Sequence, residues 1–199
     1  MFKPKESLLS KLKEDLRMLI DKEPSRMDMF RAVLLKREFH IMMIYRLSHF
    51  FYNLKLSYLA TVMQRINIMF YGVEISFKIN IGSGFRINHG VGTVIGDAVI
   101  HTSVTVFQNV TIGANYPELT SSNKPKGYPT IEERVVIFPG AVIVGPITIG
   151  KNSVIGANAV IVSNIPPESV IAAPKAVEIG SSAISDMTNS VALMSQVAQ

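Results

Sequence analysis

Isoleucine recurs at every sixth position from Ile131 through Ile137, Ile143, Ile149 and Ile155 to Ile161. Helices repeat at about 3.6 residues and flat strands at about 2, so neither period sustains such a ladder. A six-residue period marks a chain wound as a parallel β-helix. Three hexads make one triangular coil of about eighteen residues, with each ladder side chain pointing inward. The same register fits Ile75, Ile81 and Ile87 upstream. Small residues accompany the ladder at Gly82, Ala141, Gly150, Gly156 and Ala157, where a larger side chain would crowd a tight corner. A β-sandwich with a chance period gives no reason for six identical residues in register.

The pattern divides the chain into an α-helical segment, residues 1–72, a mainly β solenoid, 73–178, and a tail, 179–199. Residues 5–22 read as an amphipathic helix carrying Leu8, Leu9, Leu12, Leu16, Leu19 and Ile20 on one side. Glu23-Pro24-Ser25 ends it, because the residue before proline disfavours helical backbone. A second helix is expected over 27–52, a turn over 53–57 and a third helix over 58–70, with Gly72 at the boundary. Inside the solenoid the hexads stop at 113–130, a proline-rich polar stretch that reads as a loop thrown out of a coil. The tail from Gly180 has weak helical character. The helices are expected to cap one open end of the solenoid, and its flat faces to drive three-fold packing.

Charge narrows the partners. Residues 1–70 hold 13 Lys and Arg against 7 Asp and Glu, whereas 71–199 hold 7 against 8. Acids and bases interleave at Lys11, Lys13, Glu14, Asp15 and Arg17, which reads as a solvated helix face rather than a nucleic-acid surface. Arg46 and Arg65 interrupt the apolar stretch 39–72, so membrane-surface contact ranks below a helical oligomer interface there. The chain has no cysteine, which excludes disulfides, thiolate metal sites and a cysteine nucleophile. The charged, amphipathic start does not read as a signal peptide, and a cytoplasmic protein is expected. No phosphate-binding loop, dinucleotide motif or metal-ligand cluster stands out.

His89, in Arg86-Ile87-Asn88-His89-Gly90, follows a coil corner, so its side chain should project outward. Imidazole accepts a proton near neutral pH, which suits a general base. Glu74 lies fifteen residues earlier, just short of one coil, so stacking should bring the two together. A carboxylate beside the far ring nitrogen fixes the tautomer and stabilises the imidazolium. A surface histidine and an exposed acid without roles are the plain alternative. His40 and His49 read as packing residues, His101 as solvent-facing, and Met42, Met63 and Met69 as core or interface filler.

The stretch from Gly72 to Gly113 resembles the opening coils of serine acetyltransferases, hexapeptide-repeat acyltransferases with a left-handed β-helix. Leu12-Lys13-Glu14-Asp15, Asp21-Lys22-Glu23-Pro24, Phe39-His40 and Tyr45-Arg46-Leu47-Ser48-His49 resemble that family's helical motifs, and 165–176 resembles its closing coil. The resemblance implies acetyl-CoA as co-substrate, no metal, a homotrimer, and a hexamer as a dimer of trimers where the helices pair. By it His89 is the general base and Glu74 its orienting acid. Gly113, Ala114, Gly140 and Ala141 would meet the pantetheine arm, and Lys175 the nucleotide end. The acceptor site would include Glu23, Asn88 and Tyr128.

The departures concern the acceptor. The family has an acid where this chain has Asn88, and an Arg-His pair where it has Gly127-Tyr128. Arginine suits bidentate recognition of a carboxylate, so its loss weakens the case for a zwitterion. Tyr116, Tyr128, Asn88 and Asn115 suit a carbohydrate, and Lys124 and Lys126 are the available substitutes for the arginine. These departures favour a sugar hydroxyl of a surface polysaccharide as the acceptor. L-serine, and a non-catalytic scaffold, stand as alternatives.

Overall fold

The computed structural model describes residues 6–115 and 127–175. Tyr116, Lys124, Lys126, most of the expected loop and the tail from Gly180 lie outside the described residues.

Four helices come first: α1 (Leu8–Ile20), α2 (Arg26–Leu35), α3 (Arg37–Asn53) and α4 (Ser57–Tyr71). Ser7 caps α1 by accepting from the Ser10 amide, and Asp21 closes it in the left-handed region at φ 56°. Ser25 and Asp28 form a reciprocal capping box that starts α2. The single helix expected over 27–52 is two helices, because Lys36 takes extended backbone at φ −101°, ψ 105°. His40 holds the bend: its Nε2 lies 2.8 Å from the Val33 carbonyl and its Nδ1 3.1 Å from the Tyr71 hydroxyl. Gly72 ends α4 at φ 64°. Among the described residues, no helix is long and apolar enough to cross a membrane.

The remaining described residues form a left-handed parallel β-helix of short strands. One face holds β1 (Glu74–Ile75), β3 (Val94–Ile95), β6 (Thr111–Gly113), β9 (Val142–Val144) and β12 (Val160–Ile161). The second holds β4 (Val99–Ile100), β7 (Thr130–Ile131) and β10 (Thr148–Ile149). The third holds β2 (Arg86–Ile87), β5 (Thr105–Val106), β8 (Val136–Ile137), β11 (Val154–Ile155) and β13 (Val170–Ile171). Every ladder isoleucine from Ile75 to Ile161 is buried, as the period requires. Gly82 and Gly150 are glycine because coils stack on them: a Cβ would lie 2.6 Å from the His101 carbonyl carbon and 2.3 Å from the Pro167 nitrogen.

The coil length is eighteen residues where the period is clean, as in Val136 opposite Val154 and Thr130 opposite Thr148. It is not eighteen at the start. Glu74 pairs with Val94, twenty residues on, and the buried ladder jumps from Ile87 to Ile95 and then to Ile100. The extra residues form the turn that carries His89. Thr111 pairs with Val142, so a long excursion leaves after β6 and returns before β7. Its neck is pinned by Asn115, which donates from its amide to the Gly127 carbonyl at 3.1 Å and accepts from the Gly127 amide at Oδ1 at 2.9 Å.

The helices and the first coil share polar anchors. Tyr45 is buried, and its hydroxyl donates to the Ile79 carbonyl and accepts from the Ile81 amide. Burial pushes this phenol up to about 12, so it stays a neutral donor. His49 Nδ1 lies 2.9 Å from the Phe77 carbonyl, which makes His49, like His40, a packing residue. Asp15 departs from the expected solvated helix face: it is 3% exposed and paired with buried Arg46.

Candidate functional site

The site is built on the two-residue insertion between β2 and β3. Asn88 ends the strand, accepting no break in the ladder: its amide donates to the Val106 carbonyl at 2.8 Å. The chain then turns through three positive φ values, His89 at 62°, Gly90 at 59° and Gly92 at 76°. Gly90 and Gly92 are needed for space as well as dihedral. A Cβ at Gly90 would lie 3.1 Å from Val73 Cγ2, and one at Gly92 2.0 Å from Asn109 Oδ1. Left-handed corners recur at Ser103, Asn109, Arg134, Asn152 and Asn158, so this backbone is a habit of the coil rather than strain reserved for His89.

The turn leaves the His89 side chain exposed, as its position in sequence requires. Its carbonyl is held from outside the coil by Arg37 at the start of α3, whose Nη2 donates at 3.0 Å. The same guanidinium nitrogen lies 3.7 Å from Glu38 Oε1. Gly92 donates to the Gly72 carbonyl at 2.9 Å, stacking the His89 turn on the coil that carries Glu74. Glu74 donates its amide to the Thr93 carbonyl, and its side chain is exposed at the start of β1. The two residues thus occupy adjacent coils at one corner, although the coil is longer than the sequence reading assumed. Among the described residues no hydrogen bond joins their side chains.

The remaining expected residues fall in three places. Asn88 is half-buried, its Oδ1 accepting from Arg86 Nε at 3.1 Å. Glu23 is exposed beyond α1 and ion-paired with Lys13, whose hydrogen bond holds its carboxyl below the usual range. Tyr128 is 52% exposed beside the neck of the excursion. Gly113 ends β6, and a Cβ there would meet nothing within 4 Å, so packing within the chain does not explain that glycine. Ala114 is half-buried. Gly140 is explained by stacking, since a Cβ would lie 2.2 Å from Asn158 Oδ1. Ala141 is fully buried and its carbonyl accepts from the Thr111 amide. Lys175, the last described residue, is exposed. Among the described residues no group of three His, Cys, Asp or Glu side chains converges to hold a metal.

Sequence reasoning missed Arg37 and Arg86. Arg86 had a signal: it stands two residues before Asn88 in a strand, so both share one outward face. Arg37 had none, because its tie to His89 crosses 52 positions.

Residues 128–163 match the bacterial transferase hexapeptide (six repeats) model. The serine acetyltransferase of Bacillus pumilus (strain SAFR-032) is 38% identical over 161 residues, 80% of this chain and 72% of its own. That of Helicobacter pylori (strain ATCC 700392 / 26695) is 32% identical over 166 residues, 83% of this chain and 94% of its own. Among solved structures, serine acetyltransferase isoform 3 from Entamoeba histolytica, in complex with cysteine, superposes with a TM-score of 0.73 at 29% identity. That match covers 91% of this chain but only 64% of the other. A serine acetyltransferase in complex with CoA gives 0.71 at 28% identity, covering 86% of this chain and 69% of the other.

Proposed function

The chain belongs to the serine acetyltransferase family, and from that premise we propose that it transfers acetyl from acetyl-CoA to the hydroxyl of L-serine. The observation that carries this reading is the reach of the likeness, which spans helices and coils together in relatives named for serine. It reverses the order of acceptors drawn from Asn88 and Gly127-Tyr128 alone.

In the proposed reaction His89 is the general base. Its exposed imidazole takes the hydroxyl proton as the serine oxygen bonds to the thioester carbonyl carbon. The tetrahedral intermediate collapses, the carbon–sulfur bond breaks, and CoA leaves as thiolate. The imidazolium returns its proton to that sulfur. Glu74 orients the ring and stabilises its cationic form; the loose geometry without substrate is expected to tighten on binding. Both substrates bind at once, so much of the rate comes from positioning. Open space beside Gly113 fits close approach of the pantetheine arm to backbone.

Exposed valines on the coil faces, among them Val94, Val160 and Val170, support a homotrimer with the site between subunits. Pairing of two trimers through the helices would give a hexamer. Light scattering on the purified protein distinguishes the two.

The acceptor is tested by CoA release from acetyl-CoA with L-serine and with a panel of sugars. Release with L-serine supports the reading. Release only with a sugar moves the acceptor to a glycan, as Asn88 and Tyr128 would favour. No release and no acetyl-CoA binding would leave a scaffold.

A further inference from the structure

We propose that Arg86 is the anion anchor of the acceptor subsite, its guanidinium holding the carboxylate of the incoming amino acid. This rests on the L-serine reading and names the group that recognises one end of that acceptor.

Three observations carry it. First, Arg86 is a half-buried cation, and among the described residues no carboxylate is in ion-pair contact with it. The other structured arginines near it are matched: Arg46 with Asp15, Arg17 with Glu14, and Arg37 with Glu38. Second, its donors are only partly used. Nε donates to Asn88 Oδ1 at 3.1 Å and Nη1 to the Met18 carbonyl at 3.1 Å. Guanidinium has five N–H donors in a rigid fork, so the Nη2 end stays available for a carboxylate. Those two bonds also fix the group before any ligand arrives, which reduces the ordering cost of binding. Third, Arg86 lines a shallow, open recess between the first coil and the helices, shared with Glu38, Phe39, Met42 and Phe85.

The recess carries charges of both signs. Asp15 also lines it, but both its oxygens are taken by Arg46 and by the Phe85 amide. Glu38, on the helical side of the same recess, is the other carboxylate of its lining and lies 3.7 Å from Arg37. Asn88, gripped by Arg86, is the chain neighbour of His89, which places the anchor beside the reacting corner. Gly127-Tyr128 itself offers no cation, and Lys124 and Lys126 lie outside the described residues. A cation on β2 supplies one from the coil itself.

The test uses the full chain as wild type, R86Q and R86K, with L-serine and with L-serinamide, which replaces the carboxylate by a neutral amide. R86Q is expected to raise KM for L-serine about tenfold or more, the worth of a charge-assisted hydrogen bond. KM for acetyl-CoA and kcat/KM for L-serinamide should stay near wild type. R86K, which keeps the charge and loses the fork, should recover part of the loss. If R86Q does not fold, R86K alone is expected to raise KM for L-serine severalfold with L-serinamide unchanged. Equal losses with both acceptors would make Arg86 a structural tie and overturn the anchor, leaving the serine reading in place. A wild type that uses sugars and not L-serine would overturn both.

Discussion

Arg46 and Asp15 face each other in full burial, each side chain 2% exposed. Nε lies 2.9 Å from one carboxylate oxygen and Nη2 3.0 Å from the other. Arg46 also donates to the Ile81 and Gly82 carbonyls, and Asp15 accepts from the Phe85 amide. One ion pair thus welds α1 and α3 to the first coil. Arg46→Met should cost about 3–5 kcal/mol, because it strands a buried carboxylate rather than merely deleting a bond. The double variant with Asp15→Leu should lose less than the sum of the single changes. Denaturant unfolding of the three proteins checks both statements; additive losses would show that the groups do not act as a pair.

His89→Ala should lower kcat by about 10²–10⁴ while acetyl-CoA binding is nearly retained. Steady-state kinetics and a direct binding titration separate the two quantities. Unchanged turnover removes His89 as base.

Glu74→Gln keeps the side-chain shape and removes the charge, so its loss should be smaller than that of His89→Ala and confined to kcat. Kinetics identical to wild type would exclude Glu74 from the mechanism.

Glycine substitutions separate packing from ligand approach. A Cβ at Gly150 would lie 2.3 Å from the Pro167 nitrogen, so Gly150→Ala should cost about 1–3 kcal/mol by overpacking. A Cβ at Gly113 meets nothing within 4 Å, so Gly113→Ala should leave stability unchanged yet raise KM for acetyl-CoA. Unaltered KM would take Gly113 out of the proposed pantetheine path.

Acid titration probes the start of α2. Hydrogen bonds from the Ser25 hydroxyl and amide, then from Lys22, hold the Asp28 carboxyl down at about 2. Its pKa is depressed by folding, so its contribution is complete above the ordinary carboxylate range. It is lost as pH falls toward 2. A carbon-detected NMR titration should place the Asp28 midpoint near 2; a midpoint near 4 would mean the capping box does not form in solution.

The ladder was legible at Ile75, Ile81 and Ile87 and from Ile131 to Ile161, because burial inside a narrow prism demands the same branched side chain once per edge; Ile95, Ile100 and Ile112 fall outside that register. Local chemistry also announced a break between the first two helices around Pro24, although Asp21 closes α1 earlier, and an outward His89. The broken register between Ile87 and Ile100 was less legible, since two extra residues look like noise until the pairing of Glu74 with Val94 reveals a longer coil. Lys36 ends a helix without proline or glycine, held by the contacts of His40 with Val33 and Tyr71.

By itself, then, the sequence determined the winding, helices before coils and an exposed imidazole, all of which follow from short-range period and sterics. Only the tertiary structure decided which charges are buried and which are spent. Asp15 and Arg46 lie 31 positions apart, and Arg37 reaches His89 across 52. Charge pairing acts through space, so a segment that reads as solvated in sequence can close against another once the chain is folded. The same accounting leaves Arg86, whose local spacing shows only that it shares a face with Asn88, without a carboxylate partner among the described residues.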